Sequence, residues 1–112
     1  MGYSRAVRAG KFIAVTGSVG INADGTYSDS LGEQTRRSLQ IIRAAVEGLG
    51  GRIEHVIRTR MYVTNVSAWE EVAKVHGEVF AEIRPATTIV EVARLIDEAA
   101  QIEIEADAVI PD

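Results

Sequence analysis

The chain has 112 residues, 46% of them hydrophobic and 25% charged, a balance that excludes a disordered tail, a fibrous repeat or a disulfide scaffold. The lack of cysteine closes disulfide, thiolate-zinc, iron–sulfur and Cys-nucleophile chemistry. A net charge of −4 gives no basic field to draw the chain to a phosphate backbone, so nucleic acid is not the expected partner.

From the amino terminus, Met1-Gly2-Tyr3-Ser4-Arg5 carries no apolar leader, and no later run approaches the roughly 18 to 20 apolar residues of a spanning helix. The reading is therefore one cytoplasmic domain over residues 1–112 that spans no membrane. Residues 4–17 predict two strands around Ala9-Gly10, the second centred on Phe12-Ile13-Ala14-Val15. Asn22-Ala23-Asp24-Gly25 is a turn signal, and Ser30-Leu31-Gly32-Glu33 has capping-box spacing. The helix this opens carries Thr35, Leu39, Ile42, Val46 and Leu49 on one stripe and stops at Gly48, Gly50 and Gly51.

Between His55 and Thr64 the period changes to two, with Ile57, Met61 and Val63 on one face and Arg58, Arg60 and Tyr62 on the other. Ser67-Ala68-Trp69-Glu70 repeats the capping-box spacing before a second helical stripe of Val72, Val75, Val79, Phe80 and Ile83, which ends before Pro85. Two strands remain, one through Thr87–Val92 and one with Ile102, Ile104, Ala106 and Ala108 alternating with Glu103, Glu105 and Asp107. The order ββαβαββ predicts an α+β two-layer sandwich, a mixed sheet with both helices on one face.

The face away from the helices would then gather Arg58, Arg60, Tyr62, Glu91, Glu103, Glu105 and Asp107, interspersed with Phe12, Ala14, Thr16, Thr87 and Ile89. Two readings are open for it: a solvated sheet face, or an interface at which several copies complement one another. The charge is uneven along the chain, nine Lys or Arg against five Asp or Glu in residues 1–60 and three against eleven in 61–112, so an interleaved fold pairs the two halves.

Gly17-Ser18-Val19-Gly20 lacks the Lys-Ser/Thr of a P-loop and the third glycine of a dinucleotide fingerprint. His55 and His76 share no metal-ligand spacing, and no Gly-x-Ser-x-Gly elbow is present. Neither a metal nor a cofactor is expected. The one site-like constellation is Glu91, Glu103 and Glu105 with Arg58 and Arg60 and the hydroxyls of Tyr62, Thr16 and Thr87, which on pattern alone reads more readily as a salt-bridge network than as a catalytic site.

Tyr3-Ser4 before the hairpin, Val15-Thr16-Gly17, Glu33-Gln34-Thr35-Arg36, Pro85-Ala86, Val90-Glu91-Val92-Ala93 and Ile102-Glu103-Ile104-Glu105-Ala106 together resemble the Rid family, the YjgF-type reactive intermediate deaminases, over nearly the whole chain. The resemblance implies a chorismate-mutase-like fold and a homotrimer with small-molecule clefts between subunits. It also implies hydrolysis of reactive enamines or imines to ketoacids and ammonia without metal or cofactor, with Glu103 positioning water and Tyr3, Thr16 and Gly17 beside the ligand. Some family members are ascribed ribonuclease activity, which the acidic charge does not favour.

Where the family's Pro-Ala-Arg motif holds the substrate carboxylate, this chain reads Pro85-Ala86-Thr87, and Ile89 and Ala73 replace a cysteine and an asparagine common in the family. Threonine has no charge and no two-pronged donor to grip a carboxylate. Arg60 and Arg58 are the candidate substitutes, with the alternative that Arg60 closes onto Glu103 or Glu91. Little hydrolysis of 2-aminoacrylate-type imines is expected on this basis, and metabolite binding without turnover is the alternative function.

Overall fold

The computed structural model describes residues 1–112. Strands β1 (Ala6–Ala9) and β2 (Phe12–Val19) form the hairpin, with Gly10 at φ 61° in the turn. Helix α1 (Leu31–Gly48) follows, then β3 (Val56–Val63), α2 (Trp69–Phe80), β4 (Ala86–Glu91) and β5 (Ile102–Val109). The sheet order is β1-β2-β5-β3-β4, with β3 and β4 parallel through the α2 crossover and every other pair antiparallel. This is the predicted ββαβαββ order and layer arrangement. No helix is long and apolar enough to cross a membrane.

Ile13 and Val15 of β2, Met61 and Val63 of β3 and Ile102, Ile104, Ala106 and Ala108 of β5 are buried beneath Leu39, Ile42 and Val46 of α1 and Val72, Val75 and Phe80 of α2. The alternation along β5 is complete: each inward residue is buried and Glu103, Glu105 and Asp107 face the other way.

The predicted start of α1 holds, and that of α2 shifts by one residue to follow Ala68, which makes no side-chain cap bond. At α1, Ser30 Oγ accepts from Glu33 N at 3.2 Å, but the Glu33 carboxylate turns to Arg36 and does not close the box. The first turn is closed by Glu71 of α2, whose Oε1 accepts from Gly32 N at 2.8 Å, a charge-assisted bond at the positive end of the helix. At α2 the expected Ser67 cap is replaced. A short 3-10 turn, Val66–Ala68, comes first, and Asn65 Oδ1 accepts from Ser67 N at 3.1 Å.

Two bulges alter the predicted faces. On β2, Thr16 and Gly17 together oppose one residue of β5, so that Val15 and Ser18 both point inward. On β3, Ile57 is the extra residue between the pairs Val56–Ala108 and Arg58–Asp107, which leaves Val56 buried and Ile57 half exposed. Ile57 therefore does not share the inward face with Met61 and Val63 as the alternation predicts.

The larger correction concerns β4. Its register places Thr87 beside Thr59, Ile89 beside Met61 and Glu91 beside Val63. Thr59, Met61 and Val63 are buried on the helix side, and neighbours in register share a face, so Thr87, Ile89 and Glu91 lie on the helix side as well. They do not join Arg58, Arg60 and Tyr62 on the charged face.

Candidate functional site

The bulge at Thr16-Gly17 and the N-terminal segment build one end of the charged face together. Thr16 N donates to Arg5 O at 3.0 Å and the Thr16 hydroxyl donates to Ser4 O, which lays Tyr3-Ser4-Arg5 along β2. Tyr3, Arg5, Gly17, Ile96, Asp97 and Glu103 then line a cavity of about 220 Å³. Glu103 lies against Gly17 so closely that a Cβ at residue 17 would stand 2.6 Å from its Oε2. Glycine is needed here for space.

The Glu103 carboxylate makes no hydrogen bond or ion pair within the chain, in contrast to Glu105 and Asp107 on the same strand face. Asp97, also in the lining, accepts from Ala99 N at 3.0 Å and lies near Tyr27, whose hydroxyl pKa is raised by burial and then by the Asp97 carboxylate. Of the residues expected at the ligand, this cavity brings together Tyr3, Gly17 and Glu103. Thr16 stands beside it with its hydroxyl committed to the backbone.

Arg60 is engaged elsewhere. Its Nη1 lies 3.3 Å from Asp107 Oδ2 and 3.6 Å from Glu105 Oε1, the cross-strand neighbours that the β3–β5 register sets. Tyr62 donates its hydroxyl to Glu105 Oε1 at 2.7 Å, and that hydrogen bond, with burial second, raises the tyrosine pKa. The suggested Arg60 contacts with Glu103 and Glu91 are therefore replaced by contacts with Asp107 and Glu105, since Glu103 pairs in register with Tyr62 and Glu91 is on the opposite face. Arg58 forms no ion pair and stands outside the Glu103 cavity.

A double-mutant cycle checks this assignment. Arg60→Met combined with Asp107→Asn is expected to show coupling on the order of 0.5 to 1 kcal/mol, the range for a partly exposed ion pair. Arg60→Met combined with Glu103→Gln should couple less. The reverse ranking in urea unfolding would mean that Arg60 reaches toward the cavity.

Thr87 and Ile89 line a second, more apolar hollow of about 310 Å³ between α2 and β4, with Trp69, Ala73, His76 and Phe80. The Thr87 hydroxyl donates to Pro85 O at 3.0 Å, so the bond of 2.9 Å between the two threonines has Thr59 as donor. The bond of 2.9 Å between Thr59 Oγ1 and His76 Nε2 then takes its proton from the imidazole. Burial lowers the His76 pKa, which keeps the ring neutral at pH 7, stacked at a tilt 4.6 Å from Phe80. No set of His, Asp and Glu side chains is grouped to hold a metal ion.

The expected residues thus fall into three places: Tyr3, Gly17 and Glu103 at the cavity, Arg58 and Arg60 on the charged face, and Thr87 and Ile89 across the sheet. Arg5 was missed. Its position just ahead of β1 gives no periodic signal, and only the lateral pairing with Thr16 puts it at the cavity.

Comparison with known proteins agrees with this fold. The profile of the endoribonuclease L-PSP family matches residues 1–110. The chain belongs to this family, that of the YjgF, RutC and Rid proteins. A solved member of the YjgF/YER057c/UK114 family from Mycobacterium tuberculosis superposes with a TM-score of 0.91 at 44% identity, over 97% of this chain and 87% of that one. The 2-iminobutanoate/2-iminopropanoate deaminase of Escherichia coli K12 is 32% identical over 96% of this chain and 86% of its own. A RutC family protein of Pyrococcus horikoshii is 33% identical, over 95% and 85%.

Proposed function

We propose that the chain hydrolyses small reactive imines or enamines, with Glu103 activating the water, in clefts completed by neighbouring copies of a cytoplasmic homotrimer. The observation that carries this reading is an unpartnered carboxylate held at a small cavity by a glycine with no room for a side chain. A carboxylate so placed can take a proton from water while the water oxygen bonds to the imine carbon. That proton passes to the imine nitrogen to give a carbinolamine; Glu103 then takes the hydroxyl proton and delivers it to the amine, so that the carbon–nitrogen bond breaks and ammonia leaves as the carbonyl forms. No metal, cofactor or redox partner enters this balance.

Support for a cleft shared between copies comes from the separation of the expected residues. Thr87 and Ile89 line a hollow on the helix side of the sheet, away from Tyr3, Gly17 and Glu103. One chain does not bring both sets to one cavity, and in the proposed trimer Thr87 and Ile89 would come from a neighbouring copy. Light scattering after gel filtration is expected to give three times the 12.1 kDa of the chain. A monomer at micromolar concentration would remove the shared cleft.

Ammonia release from an imine generated by a pyridoxal-phosphate dehydratase tests the reaction. Turnover is expected to be slower than that of the E. coli deaminase, because Thr87 supplies no charge on its side of the cleft. The second reading, metabolite binding without turnover, is favoured by the same threonine, whose hydroxyl is already tied to Thr59 and Pro85. A metabolite that raises the melting temperature and survives prolonged incubation unchanged would select it.

A further inference from the structure

We infer that Arg5 grips the anionic end of the ligand in the Glu103 cavity, and that the cavity therefore selects small carboxylates over their uncharged analogues. This inference rests on the reading of that cavity as the site. Arg5 and Glu103 line the same cavity of about 220 Å³, yet the guanidinium and the carboxylate do not meet within the roughly 4 Å of an ion pair. Arg5 is the one cation of this lining, against the carboxylates Glu103 and Asp97, so an anionic group entering the cavity has Arg5 as its charged partner and a protonated nitrogen on the same ligand has the carboxylates.

The guanidinium is also held in place by neutral partners. Its Nη1 donates to Ser18 Oγ at 2.9 Å and reaches Gly17 O at 3.5 Å. Ser18 is buried by the Thr16-Gly17 bulge, and its hydroxyl donates to Thr16 O at 2.8 Å, so its lone pairs are turned toward Arg5. Nη2 and Nε are left without a protein partner, and they form the edge with which arginine binds a carboxylate. The other cation suggested for this role, Arg60, is neutralised by Asp107 and Glu105, and Arg58 is outside the cavity.

Calorimetric titration with pyruvate and with its uncharged amide, pyruvamide, tests the assignment on the full-length protein, with ammonia release measured in parallel. The wild type is expected to prefer pyruvate, and Arg5→Met to weaken pyruvate binding by at least about tenfold while moving pyruvamide little. Arg5→Lys, which keeps the charge without the fork, should recover part of the loss, and circular dichroism confirms that each variant folds. Equal pyruvate affinity in Arg5→Met and wild type, or no preference for pyruvate in the wild type, would overturn the inference. If Glu103→Gln abolishes ammonia release while Arg5→Met leaves pyruvate binding intact, the hydrolytic reading stands and the Arg5 assignment falls. If the Arg5 pattern appears but the wild type releases no ammonia, the anion site stands and the hydrolytic reading falls.

Discussion

Glu103→Gln is expected to lower imine hydrolysis by about a hundredfold or more, the range lost when a positioned general base is removed. The amide has the shape of the carboxylate and keeps an acceptor oxygen, so it fits against Gly17 and can still hold a water. It cannot take the proton, and turnover should fall through kcat with little change in KM. Because Glu103 makes no internal hydrogen bond or ion pair, the substitution strands no partner, and the melting temperature should stay near that of the wild type. Gly17→Ala is the companion variant. Its methyl group would meet the carboxylate at 2.6 Å and swing it aside, so that activity falls although the base is still present. Retention of more than about a tenth of the wild-type rate in Glu103→Gln would move the base elsewhere and end the proposed role.

The two helices and the alternation along the central strand β5 were legible because each of those segments has a strong hydrophobic asymmetry, as in Ile102, Ile104 and Ala106 against Glu103 and Glu105. The faces of β4 were not. Thr87, Ile89 and Glu91 are no more apolar as a set than Thr88 and Val90, so the pattern alone cannot say which set turns inward. Pairing with β3 decides it, through Thr59 beside Thr87 and Met61 beside Ile89. The consequence reaches the site, because alternation alone puts Thr87 and Ile89 on the face of Arg60 while the register puts them on the other.

The Arg60 pairing failed for a related reason. Alternation shows that Arg60, Glu103, Glu105 and Asp107 share a face, but only the strand register shows which of them are neighbours. The bulge at Ile57 shifts that register between the Val56–Ala108 and Arg58–Asp107 pairs, and a single inserted residue leaves no mark in composition. Glu103 was legible from the β5 alternation as well as the family resemblance, Gly17 through the resemblance alone. Their juxtaposition is a consequence of a second bulge, and Arg5 follows from it too.

Gly20→Ala is expected to be the most destabilising of the small substitutions, by on the order of 3 kcal/mol in urea unfolding at fixed protein concentration. A Cβ at residue 20 would stand 2.6 Å from Gln34 Cα and 2.9 Å from its carbonyl carbon, and closer still to the carbonyl oxygen. These are backbone atoms of α1, so relief requires the helix to move as a body rather than one side chain to rotate. Gln34 is itself fully buried and joins three segments: its Nε2 donates to Ser28 O and Ala99 O, each at 2.9 Å, and its Oε1 accepts from Gln101 N at 2.8 Å. Displacing α1 stretches all three bonds and leaves buried polar groups unpaired, adding to the steric cost. Gln101 leads directly into Ile102-Glu103, so the same displacement should disturb the cavity and lower activity in the fraction that remains folded. Gly48→Ala, at a position with open space around the added methyl group, serves as the comparison and should change stability by no more than about 1 kcal/mol, in the stabilising direction. If Gly20→Ala unfolds within about 0.5 kcal/mol of the wild type, α1 has room to slide, and Gln34 is not the fixed joint between helix, loop and β5 that these contacts describe.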